Sequence, residues 1–168
     1  MHAGRAVLVV PPPSAMAGVE AIRKRFDPLV DVVPAHLTLV FPFESAVSNE
    51  ALRRHIESVT RGVSHFEIEL SGFSCVEDRY LFLNVASGAE QIRDLHRRLY
   101  TGPLTSFLAD RPYTPHVTVG RFRSAEECAT AMKGVEPEDL RVTAVVGAAT
   151  VYDLGTTPYS TKFEVEWR

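Results

Sequence analysis

The sequence predicts a bilobal α+β protein with mostly antiparallel sheets and helices on the outer faces. Three observations lead there. The order strand-helix-strand-helix-strand occurs twice along the 168 residues. Each pass contains a short apolar strand carrying a His-x-Thr element, His36-Leu37-Thr38 in the first and His116-Val117-Thr118 in the second. No low-complexity linker parts the halves, and Glu77-Asp78-Arg79 reads as a tight polar turn. The expectation is one domain over residues 1–168, with approximate halves 1–76 and 79–168 that can intertwine.

Residues 5–10 are a continuous valine-rich run closed by Pro11-Pro12-Pro13, the mark of a buried strand. Ser14 is placed to cap a helix over 14–25, with Met16, Val19, Ile22 and Phe26 at three-to-four spacing, and Asp27-Pro28 stops it. A second strand covers 36–41. Ser48 begins a helix to about 61, with Leu52, Ile56 and Val59 on one stripe. Residues 66–70 alternate apolar and polar, as a strand with one buried face does. The order then restarts: strand 80–86, helix 89–100 with Ile92, Leu95 and Leu99, strand 116–122, and a short helix 125–133. A long apolar strand region over 140–152 and an alternating segment over 161–167 complete the chain. Corresponding elements are offset by about 75–80 residues, which reads as a duplication of whole lobes.

Composition narrows the function classes. A hydrophobic fraction of 45% is ordinary for a globular domain, and argues against intrinsic disorder. The formal charge of −3 supplies no whole-molecule field for nucleic acid, so a polynucleotide would need a local basic groove. Residues 7–10 are too short a run for a signal peptide or a membrane span, and a cytoplasmic protein without membrane contact is expected. Cys75 and Cys128, without a Cys-x-x-Cys or a neighbouring histidine, read as two reduced thiols. Neither Gly-x-x-x-x-Gly-Lys-Ser/Thr nor Gly-x-Gly-x-x-Gly is present, so ATP and dinucleotides are not suggested.

The paired elements carry the chemistry. On a strand, His and Thr at i and i+2 point to one face while Leu37, Leu39, Val117 and Val119 point to the other. If the lobes are related by a pseudo-twofold axis, two imidazoles and two hydroxyls converge on one groove. One neutral imidazole can take a proton from an attacking hydroxyl while the other, protonated, delivers one to the leaving oxygen. The threonine hydroxyls can donate to the non-bridging phosphate oxygens, where charge accumulates. Such a site needs neither metal nor cofactor.

The segments 115–121 (Pro-His-Val-Thr-Val-Gly-Arg) and 35–39 (Ala-His-Leu-Thr-Leu) resemble the paired signature motifs of the 2H phosphoesterase superfamily. Within it the chain is most similar to the bacterial and archaeal 2′-5′ RNA ligase-like proteins, also described as RNA 2′,3′-cyclic phosphodiesterases. The resemblance implies a bilobal fold with a central groove and cofactor-free action on cyclic phosphates. It also implies, in some members, reversible 2′-5′ joining of RNA ends, with His36, Thr38, His116 and Thr118 as the catalytic residues. The substrate would be an RNA end or a small cyclic nucleotide, and a monomer without an obligatory protein partner suffices.

Further candidates flank the motifs. Arg121 follows the second motif, where strict alternation puts it on the face away from His116 unless the strand bulges. Phe41 stands at the matching place after the first motif, and Phe41, Tyr113 and Phe122 are candidates to stack a base. Phe43 is a candidate of the same kind, while Arg5 and Arg123 are weaker basic ones. His55, His65, His96 and the tail residue His2 read as exposed, and Arg23-Lys24-Arg25, Arg53-Arg54 and Arg97-Arg98 as solvated helix faces. Two other functions remain open: a non-catalytic nucleotide or RNA-end binding module with the same groove, and a metallohydrolase using His36 and His116, which lacks the usual carboxylates.

Overall fold

The computed structural model describes residues 4–135 and 140–168, so the tail histidine His2 lies outside the described residues. Its elements are β1 (Arg5–Val9), α1 (Ala17–Phe26), β2 (Leu37–Phe43), α2 (Asn49–Thr60), β3 (Phe66–Val76), β4 (Tyr80–Ser87), α3 (Ala89–Leu99), β5 (His116–Arg121), α4 (Ala125–Gly134), β6 (Val142–Val146), β7 (Ala148–Asp153) and β8 (Ser160–Glu166). The doubled order is present: β1-α1-β2-α2-β3 is followed by β4-α3-β5-α4-β6.

The strands form one sheet in the order β6-β3-β4-β5-β2-β1-β7-β8, and every pairing is antiparallel. The halves exchange strands: β3, from the first, pairs with β4 and β6, while β7 pairs with β1. The helices interleave likewise, since α1 packs on β5 and α3 on β2. All four helices bury their apolar stripes on one side of the sheet, against Val7, Leu37, Leu39, Leu83, Val117 and Val119. Full burial of each such side chain is worth roughly 1.5–3 kcal/mol, and a one-residue slip of β2 or β5 would turn that set outward. The same alternation fixes which face His and Thr occupy.

Several expectations change. The run over 140–152 is two strands: Gly147 parts β6, at one edge of the sheet, from β7, beside β1. Apolarity alone does not reveal such a switch. Ser14 caps nothing, because a single 3-10 turn at Pro13–Ala15 precedes α1, whose N-cap is Met16. Ser48 does cap α2, its hydroxyl accepting from the Ala51 N–H. Cys75 and Cys128 are joined as a disulfide, with Cα atoms 6.1 Å apart, tying α4 to β3 on the helix side of the sheet. The reading of two reduced thiols is thereby overturned; β3 and α4 bring them together, which their sequence separation of 53 gives no means of seeing. No helix among the described residues is long and apolar enough to cross a membrane.

Candidate active site at the joint of the two halves

β2 and β5 meet at their N-terminal tips, with Leu37 opposite Val117. One antiparallel step either way places His36 opposite Thr118 and Thr38 opposite His116. Side chains directly across such a pair have Cβ atoms about 4.5–5.5 Å apart, so the four polar residues form a compact patch on one face. Burial reports the same geometry: His36, Thr38, His116 and Thr118 are half-buried, while Leu37, Leu39, Val117 and Val119 are at most 1% exposed.

Each imidazole is held in the same way. His36 Nδ1 lies 2.7 Å from the Pro34 carbonyl, and His116 Nδ1 lies 2.6 Å from the Thr114 carbonyl. A carbonyl only accepts, so Nδ1 carries the proton and Nε2 is left to exchange one with a substrate. Burial lowers the pKa of both rings, that of His116 to about 4, and the positive charge of a protonated His36 pushes His116 further down. Both are thus neutral near pH 7. The i−2 carbonyl was legible in neither motif, since it depends on how the chain turns into the strand.

Behind this symmetric front the supports differ. On the first side, Arg23 of α1 is 1% exposed and donates to Asp27 at 2.7 Å, Glu20 at 2.9 Å and the Val33 carbonyl at 2.9 Å. Glu20 in turn accepts the Ala35 N–H at 2.7 Å, one residue before His36. From the second half, His96 of α3 is buried, donates from Nδ1 to the Leu39 carbonyl of β2 at 2.8 Å, and stacks on Tyr113, ahead of His116, with ring centroids 3.7 Å apart. The Tyr113 hydroxyl donates to the Thr38 carbonyl at 2.7 Å. Arg23 is therefore no solvated residue and His96 no surface histidine. Both stand one step from an apolar stripe, where helix packing covers them.

The flanking candidates separate. A bulge at Val119, between the pairs Phe82↔Thr118 and Leu81↔Gly120, shifts the alternation and sets Arg121 opposite Tyr80. Arg121 thus joins the face of His116, exposed, with its guanidinium 5.9 Å from the Tyr80 ring centroid. A matching bulge at Leu39 puts Phe41 in the equivalent place of the first half. There Phe41 lies 6.3 Å from Tyr113, beneath the Arg111 guanidinium at 5.1 Å. Tyr113 is committed to its stack and its bond to Thr38, so it supports the strand from behind. Phe122 is not brought to the patch: it packs on Phe26 of α1, centroids 5.5 Å apart, on the helix side. Arg5 is tied to Asn49 and the Ser45 and Val47 carbonyls. Sequence reasoning missed Phe82, whose ring stacks on His116 at 3.3 Å, and Asn84, directly opposite His116. Both lie on β4, and only the strand order reveals them.

With two His-x-Thr strands meeting tip to tip in a duplicated, strand-exchanged sheet, kinship can be asked of fold and sequence together. The family model described as the 2′-5′ RNA ligase superfamily matches residues 10–157. The chain belongs to this superfamily. Among curated relatives, a Bacillus licheniformis protein with a provisional phosphoesterase name is 31% identical over 113 residues, covering 62% of this chain and 63% of the relative. The chain thus matches less than two thirds of that protein. A Geobacillus kaustophilus protein named in the same way is 23% identical over 140 residues, 80% of this chain and 78% of the relative. Escherichia coli LigT in its apo form superposes with a TM-score of 0.67 at 18% identity, over 98% of this chain and 97% of LigT. A Thermus thermophilus protein gives 0.68 at 16% identity, over 98% of each chain. At such identity these structures share the fold. The 2H phosphoesterase kinship read from residues 35–39 and 115–121 and the superfamily match agree, and both motifs lie inside the matched stretch. Among the described residues, no group of three or more His, Cys, Asp or Glu side chains is placed to hold a metal ion.

Proposed function

We propose that this member of the superfamily is a metal-independent phosphoesterase acting on a cyclic phosphate, at an RNA 2′,3′-cyclic end or in a cyclic nucleotide, or on a 2′-5′ phosphodiester. The observation that carries the reading is the convergence of His36, Thr38, His116 and Thr118 on one face through the Leu37–Val117 pairing. In hydrolysis of a cyclic phosphate, one Nε2 takes a proton from water as its oxygen bonds to phosphorus. The other Nε2, protonated, gives its proton to the ribose oxygen as that P–O bond breaks. The Thr38 and Thr118 hydroxyls donate to the non-bridging oxygens, and Arg121 adds charge from the same face. Because burial lowers both imidazole pKa values, the protonated partner is recruited by the substrate's own negative charge.

E. coli LigT, which shares the fold, has been crystallised with 3′-AMP, phosphate, ATP and NADP+, so nucleotides and phosphate are the ligand chemistry to test first. The test is turnover on a panel of nucleoside 2′,3′-cyclic phosphates, RNA with a cyclic phosphate end, and 2′-5′-linked oligonucleotides, with and without EDTA, identifying the product linkage. EDTA-resistant turnover of at least one compound is expected. Binding without any turnover would favour the non-catalytic module, and activity abolished by EDTA would favour a metallohydrolase.

A further inference from the structure

The two walls beside the four-residue patch are not alike, although the halves that supply them are. On the second side β4 lines the groove with Tyr80, Phe82 and Asn84, and Arg121 projects among them. The matching strand on the first side, β1, supplies Ala6 and Leu8, which gather with Val33 and Tyr152 into a small apolar cluster apart from the main core, with Tyr159 against it. Leu8 stands directly opposite Thr38, and Tyr152 directly opposite Ala6, so this cluster shares the face of the catalytic patch.

Next to it opens a cavity of about 450 Å³, within the roughly 300–1,000 Å³ usual for small-molecule sites. Its lining runs up to His36: Pro34, whose carbonyl holds His36 Nδ1, and Ala35, whose N–H is held by Glu20, both border it. The described lining contains no Lys or Arg, and it carries two carboxylates, Glu20 and Asp31. An anionic group would be repelled there. Tyr152, Tyr159 and Pro158 offer flat apolar surface, while the Glu20 carboxylate could accept from an amino group.

We infer that this cavity is the subsite for the uncharged base of the nucleoside whose phosphate lies between His36 and His116, so that substrate enters the groove in one direction, base toward His36 and further phosphates toward Arg121. The inference rests on the phosphoesterase reading for what occupies the patch, but it is tested by binding and so can fail separately. Tyr159 is the residue to change. It sits half-buried in the turn before β8, and its backbone N–H, which donates to the Val32 carbonyl, is unaffected by substitution.

The experiment is calorimetric titration of the full chain with adenosine 3′-monophosphate and, separately, with inorganic phosphate. The nucleotide is expected to bind more tightly than phosphate. Tyr159→Ala should weaken the nucleotide about five- to a hundredfold, the usual worth of one stacked base, and leave phosphate unchanged, whereas Tyr159→Phe should keep both. Thr161→Trp, at an exposed rim position, should narrow the cavity and weaken the nucleotide alone; it answers the question if Tyr159→Ala does not fold. Nucleotide affinity no greater than that of phosphate, or unchanged in both Tyr159→Ala and Thr161→Trp, overturns the inference. So does an equal loss of both ligands. Failure of the phosphoesterase reading shows itself differently, as absence of turnover across the substrate panel.

Discussion

The two halves agree in what they present and differ in how they hold it. Each brings a His-x-Thr tip to the joint, ties the imidazole Nδ1 to the carbonyl two residues earlier, and bulges one residue after the threonine. Behind those tips, one half uses a buried Arg23–Glu20–Asp27 network and the other a His96–Tyr113 stack. Beside them, one wall is apolar and the other carries Arg121. The two halves share one geometry at the tips, which the proposed two-sided proton transfer would use, and differ in supports and walls.

If the tips are equivalent in importance, His36→Ala and His116→Ala should each lower kcat by roughly a hundredfold to ten-thousandfold, the usual worth of general acid-base catalysis. Thermal melting should show both variants folded, because each ring lines the open face of the sheet. A loss confined to one of them would break the equivalence. Thr38→Val and Thr118→Val keep the branched shape and remove one donor each, so about a tenfold to a thousandfold loss in kcat is expected.

The supports should differ in stability. Arg23→Ala leaves the Asp27 and Glu20 carboxylates without their partner and should cost about 3–5 kcal/mol in urea denaturation. His96→Ala removes one buried hydrogen bond and one stack, for about 1–3 kcal/mol. Equal costs would mean that the two supports are interchangeable. The remaining effect concerns acid. The folded pKa of His116 is about 4 against an ordinary 6.5, so the unfolded chain binds the extra proton between those values. Stability should therefore fall as pH drops from about 6.5 to about 4. His116→Gln should melt with a shallower dependence over that window, and an unchanged slope would remove burial of this ring from the account.

The repeated element order, the paired motifs and the face they occupy were legible because each rests on local periodicity. His36 to Leu39 and His116 to Val119 alternate so cleanly that their burial follows from sequence. Arg121 shows where alternation fails. A single extra residue at Val119 moves it to the face of His116, and a bulge leaves no mark in residue type. Phe82, Asn84 and the disulfide partners depend on strand order and helix docking, which arise only when the halves exchange β3 and β7. Arg23 and His96 look like members of basic surface runs, because a helix stripe one residue wider than its apolar set cannot be seen before its packing partner is known.

In the proposed mechanism two imidazoles, both neutral in the free protein near pH 7, share acid and base roles on one phosphate. The direct measurement is the pH dependence of kcat/KM and kcat on the best substrate of the panel, with chemistry shown to be rate-limiting. One ring must be neutral and the other protonated, so kcat/KM should rise and then fall, with apparent values that belong to the pair. Because burial lowers both free-protein pKa values, kcat/KM should peak below about pH 6.5. The bound anion favours the imidazolium, so the alkaline limb of kcat should lie at higher pH than that of kcat/KM. A profile flat from pH 5 to 9 in both quantities would contradict histidine acid-base catalysis at this site.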